Sequence, residues 1–176
     1  MIFSLVVAVD KNFGIGIHNT MPWKLPADLK HFANVTTAVQ NPEKMNAVIM
    51  GRNTWESLPA AHRPLKNRLN IVLSRSGDIS LPEGVLLCSS IDEAMQKVSA
   101  MLNIENTFVI GGGKVFAEAI QHPSCAKIYI TKLAQSFDCD TFFPTIDETR
   151  FHLVKQDGKM TDNGLEFEFL LYEKKV

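Results

Sequence analysis

Short β-rich runs alternate with helical patterns along most of this chain, and that alternation limits the folds open to it. IFSLVVAV (2–9), NAVIM (46–50), RLNIVLS (68–74), GVLLCS (84–89), TFVIG (107–111) and KIYIT (127–131) read as strands. Helical patterns run from Pro26, near 52–57, over 91–102 and over 114–120. The order predicts an α/β fold: a mainly parallel central sheet of about eight strands flanked by helices on both faces. VVAV and FVI are apolar without alternation, as strands covered on both faces should be. After Phe143-Pro144, FHLVKQ (151–156) and LEFEFLLYEKK (165–175) flank the turn-rich GKMTDNG with no helix between them, which predicts a C-terminal antiparallel hairpin at the sheet edge. With no internal repeat and no linker-like stretch, residues 1–176 are expected to form a single domain.

Composition excludes several classes. A net charge of -1 gives no electrostatic reason to expect nucleic acid or a membrane as partner. Cys88, Cys125 and Cys139 are an odd, widely spaced set without a CxxC pair, so reduced thiols and a cytoplasmic location are expected. The apolar run at 2–9 has no basic stretch before it and stops at Asp10-Lys11, which fits a buried strand and not a signal peptide or membrane span. No histidines stand at helical metal spacing, and neither GxSxG nor HExxH occurs, so no metal site and no hydrolase chemistry is expected.

MPWKLPADLKHF (21–32) poses a sharper question. If Pro26 opens a helix, Leu25, Asp28, Leu29 and Phe32 share one face, and the carboxylate points where the leucines point. Asp28 could serve as a first-turn anion for the helix dipole. Enclosed by Trp23, Leu25, Leu29 and Phe32, however, it needs a hydrogen-bonding or cationic partner, because an unpaired buried charge costs several kcal/mol. A bound ligand could be that partner.

Several glycine turns sit at strand ends. GGGKVF (111–116) follows a strand and opens a helix, so its amides can approach an anion with no Cβ in the way, although it is neither GxGxxG nor a GxxxxGK[ST] loop. MGRNTWESL (50–58) repeats the arrangement, SRS (74–76) ends a third strand, and all three lie on the carboxyl edge where open α/β sheets bind ligands. HRPLKNR (62–68) gathers Arg63, Lys66 and Arg68 in one loop, where a guanidinium could grip a carboxylate. Residues 10–24 form the longest loop, and loops of that length are usually functional. An apolar pocket with one carboxylate and several anion cradles suits a redox enzyme with a nucleotide cofactor.

The stretches VVAVDKNFGIG, MPWKLPADLKHF, VIMGRNTWESL, RPLKNR, IVLSR, FVIGGGKVF and DTFFP, in this order and spacing, resemble the dihydrofolate reductase family along nearly the whole chain. The resemblance implies NADPH-dependent reduction of 7,8-dihydrofolate to tetrahydrofolate in one-carbon metabolism, with hydride transfer to C6 and protonation of N5. It further implies binding of methotrexate- or trimethoprim-like antifolates and a monomeric state. Asp28 takes the family's acidic position, where it would accept hydrogen bonds from the pterin's N3 and 2-amino group. Thr131 would support it, and Trp23 joins them as a catalytic residue. Val6, Ala8, Leu29, Phe32, Leu58, Leu65 and Ile110 would line the substrate pocket, and Arg68 would grip the glutamate α-carboxylate. On the cofactor side the resemblance implies Ala8, Ile15, Gly16, Met21, Gly51, Arg52, Asn53, Thr54, Ser74, Arg75, Ile110 and the Gly111, Gly112, Gly113, Lys114, Val115, Phe116 turn. Arg75 would take the 2′-phosphate, and the 14–24 loop would be a mobile lid. Phe116 replaces a usual tyrosine and Lys114 a frequent arginine. A related fold, the pyrimidine reductase of riboflavin synthesis, would not need Asp28, Phe32 and Arg68 together, and a nucleotide-binding module without turnover would use Asp28 only as a cap.

Overall fold

A computed structural model describes residues 1–176. Its strands are β1 (Phe3–Val9), β2 (Gly14–Gly16), β3 (Met45–Gly51), β4 (Arg68–Leu73), β5 (Leu86–Cys88), β6 (Ile104–Val109), β7 (Cys125–Leu133), β8 (Thr141–Phe142), β9 (Phe151–Gln156), β10 (Met160–Asp162) and β11 (Leu165–Lys174). The helices are α1 (Pro26–Thr37), α2 (Arg52–Ser57), α3 (Ile91–Ser99) and α4 (Gly113–Gln121). Each strand and helix expected from the alternation is present. α3 stops three residues short of the expected end, because its buried face finishes at Val98 and the Ala100 amide turns back to the carbonyls of Lys97 and Val98.

The main sheet runs β10-β11-β7-β1-β6-β3-β4-β5, with β9 also paired to β11. β7, β1, β6, β3, β4 and β5 are mutually parallel, and β11 is antiparallel to β7. The closing hairpin is thus where the sequence put it, with its first strand broken into β9 and β10. Asn163 and Gly164 at its tip both have positive φ, as a two-residue turn between right-twisted strands requires.

The apolar runs without visible alternation serve two faces. On β1, Phe3, Leu5, Val7 and Val9 join a core cluster with Ile91, Ala94, Met95 and Val98 of α3 and Phe116, Ala119 and Ile120 of α4. Val6, Val48 and Met50 turn the other way, toward Trp55 of α2 and toward Phe32 and Val35 of α1. Helices therefore cover both sides of the middle strands, as the composition of those strands demands. None of the helices is long and apolar enough to cross a membrane.

The 10–24 segment departs from its reading as a plain loop. Within it, β2 pairs with β8 of the DTFFP stretch as a second small sheet. Asp10, fully buried, gathers this corner: Oδ1 accepts from the amides of Asn12 and Gly14, each at 2.8 Å, and Oδ2 from the Phe137 amide at 2.9 Å. Strands of two or three residues carry no periodicity that a sequence could show.

Candidate functional site

The register of the parallel strands builds the site. Ala8 of β1 lies beside Thr131 of β7, and Val6 beside Tyr129, so these four side chains share the face that α1 covers. Pro26 occupies the first turn of α1, and the helix lays Asp28 against that face. The Thr131 hydroxyl donates to Asp28 Oδ1 at 2.6 Å, with both residues buried. Burial raises the Asp28 carboxyl above its ordinary pKa, and the threonine bond opposes that rise. No cation is paired with Asp28 among the six ion pairs of the molecule.

Asp28 does lie in the first turn of α1, as the dipole reading expects, but its side chain caps no helix amide. The helix has no side-chain cap at Leu25; its Ala27 amide donates instead to Asp162 Oδ2 of β10 at 2.9 Å. An ionised carboxylate offers about four acceptor sites, and one hydroxyl fills one of them. What remains can receive two parallel N–H donors from a flat heterocycle. Trp23, buried nearby in the cluster with Leu25, holds an indole N–H with no partner.

Most of the expected lining residues converge. Val6, Phe32, Leu58, Leu65 and Ile110 lie in one apolar cluster, with Tyr129 as a member that sequence reasoning missed. Tyr129 could have been found from the register alone, two residues before Thr131 on the same strand face. Leu29, next to Asp28 on α1, is 58% exposed, while Asp28 and Thr36 are the buried residues of the helix. Met21 is exposed as well.

Arg68 stands at the far end of α1. Its Nη1 donates to Thr36 Oγ1 at 2.8 Å, its Nε to the Lys66 carbonyl at 2.9 Å, and its Cζ lies 5.8 Å from the Phe32 ring centroid. Partial burial lowers its pKa slightly from a very high value, so it stays a cation. The guanidinium is aimed before any anion arrives.

The glycine turns meet as one cradle. β3 and β6 are neighbours, the Gly51 amide donates to the Gly111 carbonyl at 2.8 Å, and a Cβ on Gly112 would lie 3.2 Å from Thr54 Oγ1. Gly111 has a φ of +127°, which only glycine adopts readily, and a Cβ on Gly113 would meet Thr141 Cγ2 at 2.6 Å. Ile15 and Val115 pack beside it, and Phe116 is buried with its ring rim toward Gly111 and its face edge-on to Phe143. Gly16 is tied to Asp140, whose amide donates to its carbonyl at 3.0 Å, and the Asn53 carbonyl accepts from Asn19 of the 10–24 segment at 3.1 Å.

The basic residues divide. Arg75, after β4 and beside Ser74, is exposed and unpaired, and Lys114 is exposed too. Arg52 is engaged within the protein: its Nε donates to Glu56 at 2.8 Å and its Nη1 to the Asp78 carbonyl at 3.1 Å. Arg63 lies over Trp55 and bonds that residue's carbonyl.

Comparison with known proteins decides the lineage. The family model described as dihydrofolate reductase matches residues 2–174. The chain belongs to the dihydrofolate reductase family. It is 42% identical to the dihydrofolate reductase of Heliothis virescens, over 97% of this chain and 96% of that one. It is 44% identical to the dihydrofolate reductase of Drosophila melanogaster, over 98% and 97%. A bifunctional dihydrofolate reductase-thymidylate synthase of Arabidopsis thaliana is 46% identical over 97% of this chain, which covers 34% of that longer protein. The family's reductases work with a nicotinamide cofactor.

Proposed function

We propose that this chain reduces 7,8-dihydrofolate to tetrahydrofolate with NADPH. The observation that carries this reading is the buried Asp28 carboxylate held by one hydroxyl and by no cation. Such a group recognises an amidine-like edge, and the pterin presents one in N3–H and its 2-amino group.

Each residue then has a task. Thr131 fixes the Asp28 carboxylate in the plane that the heterocycle must share. Val6, Ala8, Phe32, Leu58, Leu65, Ile110 and Tyr129 provide the apolar walls, and Arg68, preset by Thr36 and Lys66, takes the α-carboxylate of the glutamate tail. Trp23, Ile15 and the β2 segment would cover the reacting face and exclude water. NADPH, when bound, supplies the hydride for C6. Asp28, raised by its burial, favours the protonated pterin and so assists proton arrival at N5.

The residues present fit that cofactor. Gly51, Thr54 and Gly111–Gly113 would hold the diphosphate, Ala8 and Ile15 would offer backbone groups to the carboxamide, and Ser74 with the unpaired Arg75 would hold the 2′-phosphate. Arg52 would need to leave Glu56 to join them. Phe116 sets an apolar ring without a hydroxyl beside Gly111. The same Asp28 geometry suits charged diaminopyrimidine and diaminopteridine antifolates.

The test is direct. Purified protein mixed with NADPH and dihydrofolate should bleach the reduced-nicotinamide absorbance only when both are present, and NADH should serve far less well. No bleaching would defeat the proposal.

A further inference from the structure

The tip of the C-terminal hairpin grips the segment that carries the polar groups of the pocket. α1 begins without a cap of its own: Leu25 has no acceptor side chain, and Pro26 has no N–H. The first free amide, that of Ala27, donates at 2.9 Å to Asp162 Oδ2, the last residue of β10. Next to it in the hairpin, Asn163 Nδ2 donates at 2.8 Å to the Lys24 carbonyl. Two consecutive hairpin residues therefore hold positions 24 and 27, and Trp23 and Asp28 flank those positions.

The grip is stiff for local reasons. Asp162 pairs with Leu165 across the turn, and Asn163 and Gly164 have φ of 51° and 72°, the left-handed pair of a tight hairpin. Further along, Phe169 of β11 lies opposite Thr131. The same hairpin thus backs both sides of the Asp28–Thr131 bond. The contacts span 135 and 139 residues of sequence, so nothing local to α1 replaces them.

We propose that Asp162, seconded by Asn163, is a positioning residue for the pterin-recognising carboxylate: it fixes the first turn of α1 so that Asp28 meets Thr131 and the bound heterocycle in register. This role rests on the dihydrofolate reductase function proposed above. A cap that only stabilised the helix would affect the folding equilibrium and leave the folded pocket alone. A positioning cap changes what the folded protein binds.

The two are separated by measuring ligand affinity in the folded protein. For Asp162→Ala, the dissociation constant of a 2,4-diaminopyrimidine, followed by tryptophan fluorescence, should rise roughly tenfold and kcat fall by a similar factor, in line with the loss of a helix cap. The dissociation constant of NADPH should stay within about twofold, because the cradle lies on other elements. Asp162→Asn keeps an acceptor oxygen and should stay within about threefold of the native protein in both measurements. A lower melting temperature for Asp162→Ala with unchanged inhibitor affinity and kcat would overturn the proposal, and so would equal losses for both ligands. Should Asp162→Ala not fold, Asn163→Ala removes one exposed bond only and should weaken the inhibitor roughly threefold with cofactor binding intact; an unchanged inhibitor constant there would also overturn it. Native protein that binds neither ligand would strike the reductase function itself.

Discussion

Asp28 is costly to the fold it serves. Its carboxyl is raised by burial, so between the ordinary carboxylate range and the raised value the folded chain holds a proton there that the unfolded chain has released. Stability therefore falls as pH climbs from the ordinary carboxylate range to the raised value, and the cost persists at every higher pH. Asp28→Asn keeps the threonine bond and removes the charge. At neutral pH it should melt higher than the native protein, with a difference that shrinks as pH drops through that window, read by thermal unfolding across pH. The same variant should lose roughly 10²–10⁴-fold in turnover at neutral pH and recover part of it in acid, where the substrate arrives protonated. Full activity at neutral pH would refute the assigned role. Arg68→Lys should raise KM for dihydrofolate roughly tenfold or more at nearly constant kcat, since an ammonium cannot hold Thr36, the Lys66 carbonyl and a carboxylate in one plane. At this scale the sequence was legible where chemistry is local: an acid on an apolar helical face announces itself. Asp162 did not, because its donor lies 135 residues away and a surface carboxylate would look the same; Asp10 takes two local amides, but the bond that ties it to Phe137 spans 127 residues. Thr131 became visible through family resemblance alone.

Strands and helices were read correctly wherever an element was long enough to display its period. β1 and β6 showed themselves as buried on both faces, and the structure then fixed which of their residues, Val6 and Phe108, meet α1. β2 and β8 escaped because pairing, not pattern, creates them. Their pairing has a consequence at the start of α4, where Thr141 of β8 closes over Gly113. Gly113→Ala would place a methyl 2.6 Å from Thr141 Cγ2, so either β8 or the helix must shift. Such overpacking typically costs about 1–3 kcal/mol, and it should also weaken NADPH, because the moved backbone is the cradle. Adding Thr141→Ser deletes the opposing methyl and should restore a good part of both losses. If the double variant were no better than Gly113→Ala, the close approach would not be the cause. Calorimetric melting and cofactor titration on the three proteins would decide it.

Across the whole molecule, the three thiols report how completely the fold closes. Cys88 and Cys125 are buried, Cys125 is pushed up to about 12 by burial, and Cys139 is partly covered with its pKa raised as well. A thiol reagent at neutral pH should label the native protein slowly and at Cys139 first, and all three positions only after unfolding. The two ligand sites give a further whole-molecule test, because each ligand that binds the folded chain alone stabilises it by RT ln(1 + [L]/Kd), about 2.7 kcal/mol at a hundredfold excess over Kd. For a chain of this size that is roughly 5–10 °C in melting temperature for each ligand. The Asp28 pocket and the Gly51–Gly113 cradle are built on different strand ends of one sheet, so NADPH and a diaminopteridine should each raise the melting temperature, and together raise it by at least the sum. Asp28→Asn should erase most of the diaminopteridine increment and leave that of NADPH. A nucleotide-binding module without turnover would respond to NADPH and ignore the antifolate, with or without Asp28, and that pattern would leave the family fold standing while removing the catalysis assigned to it.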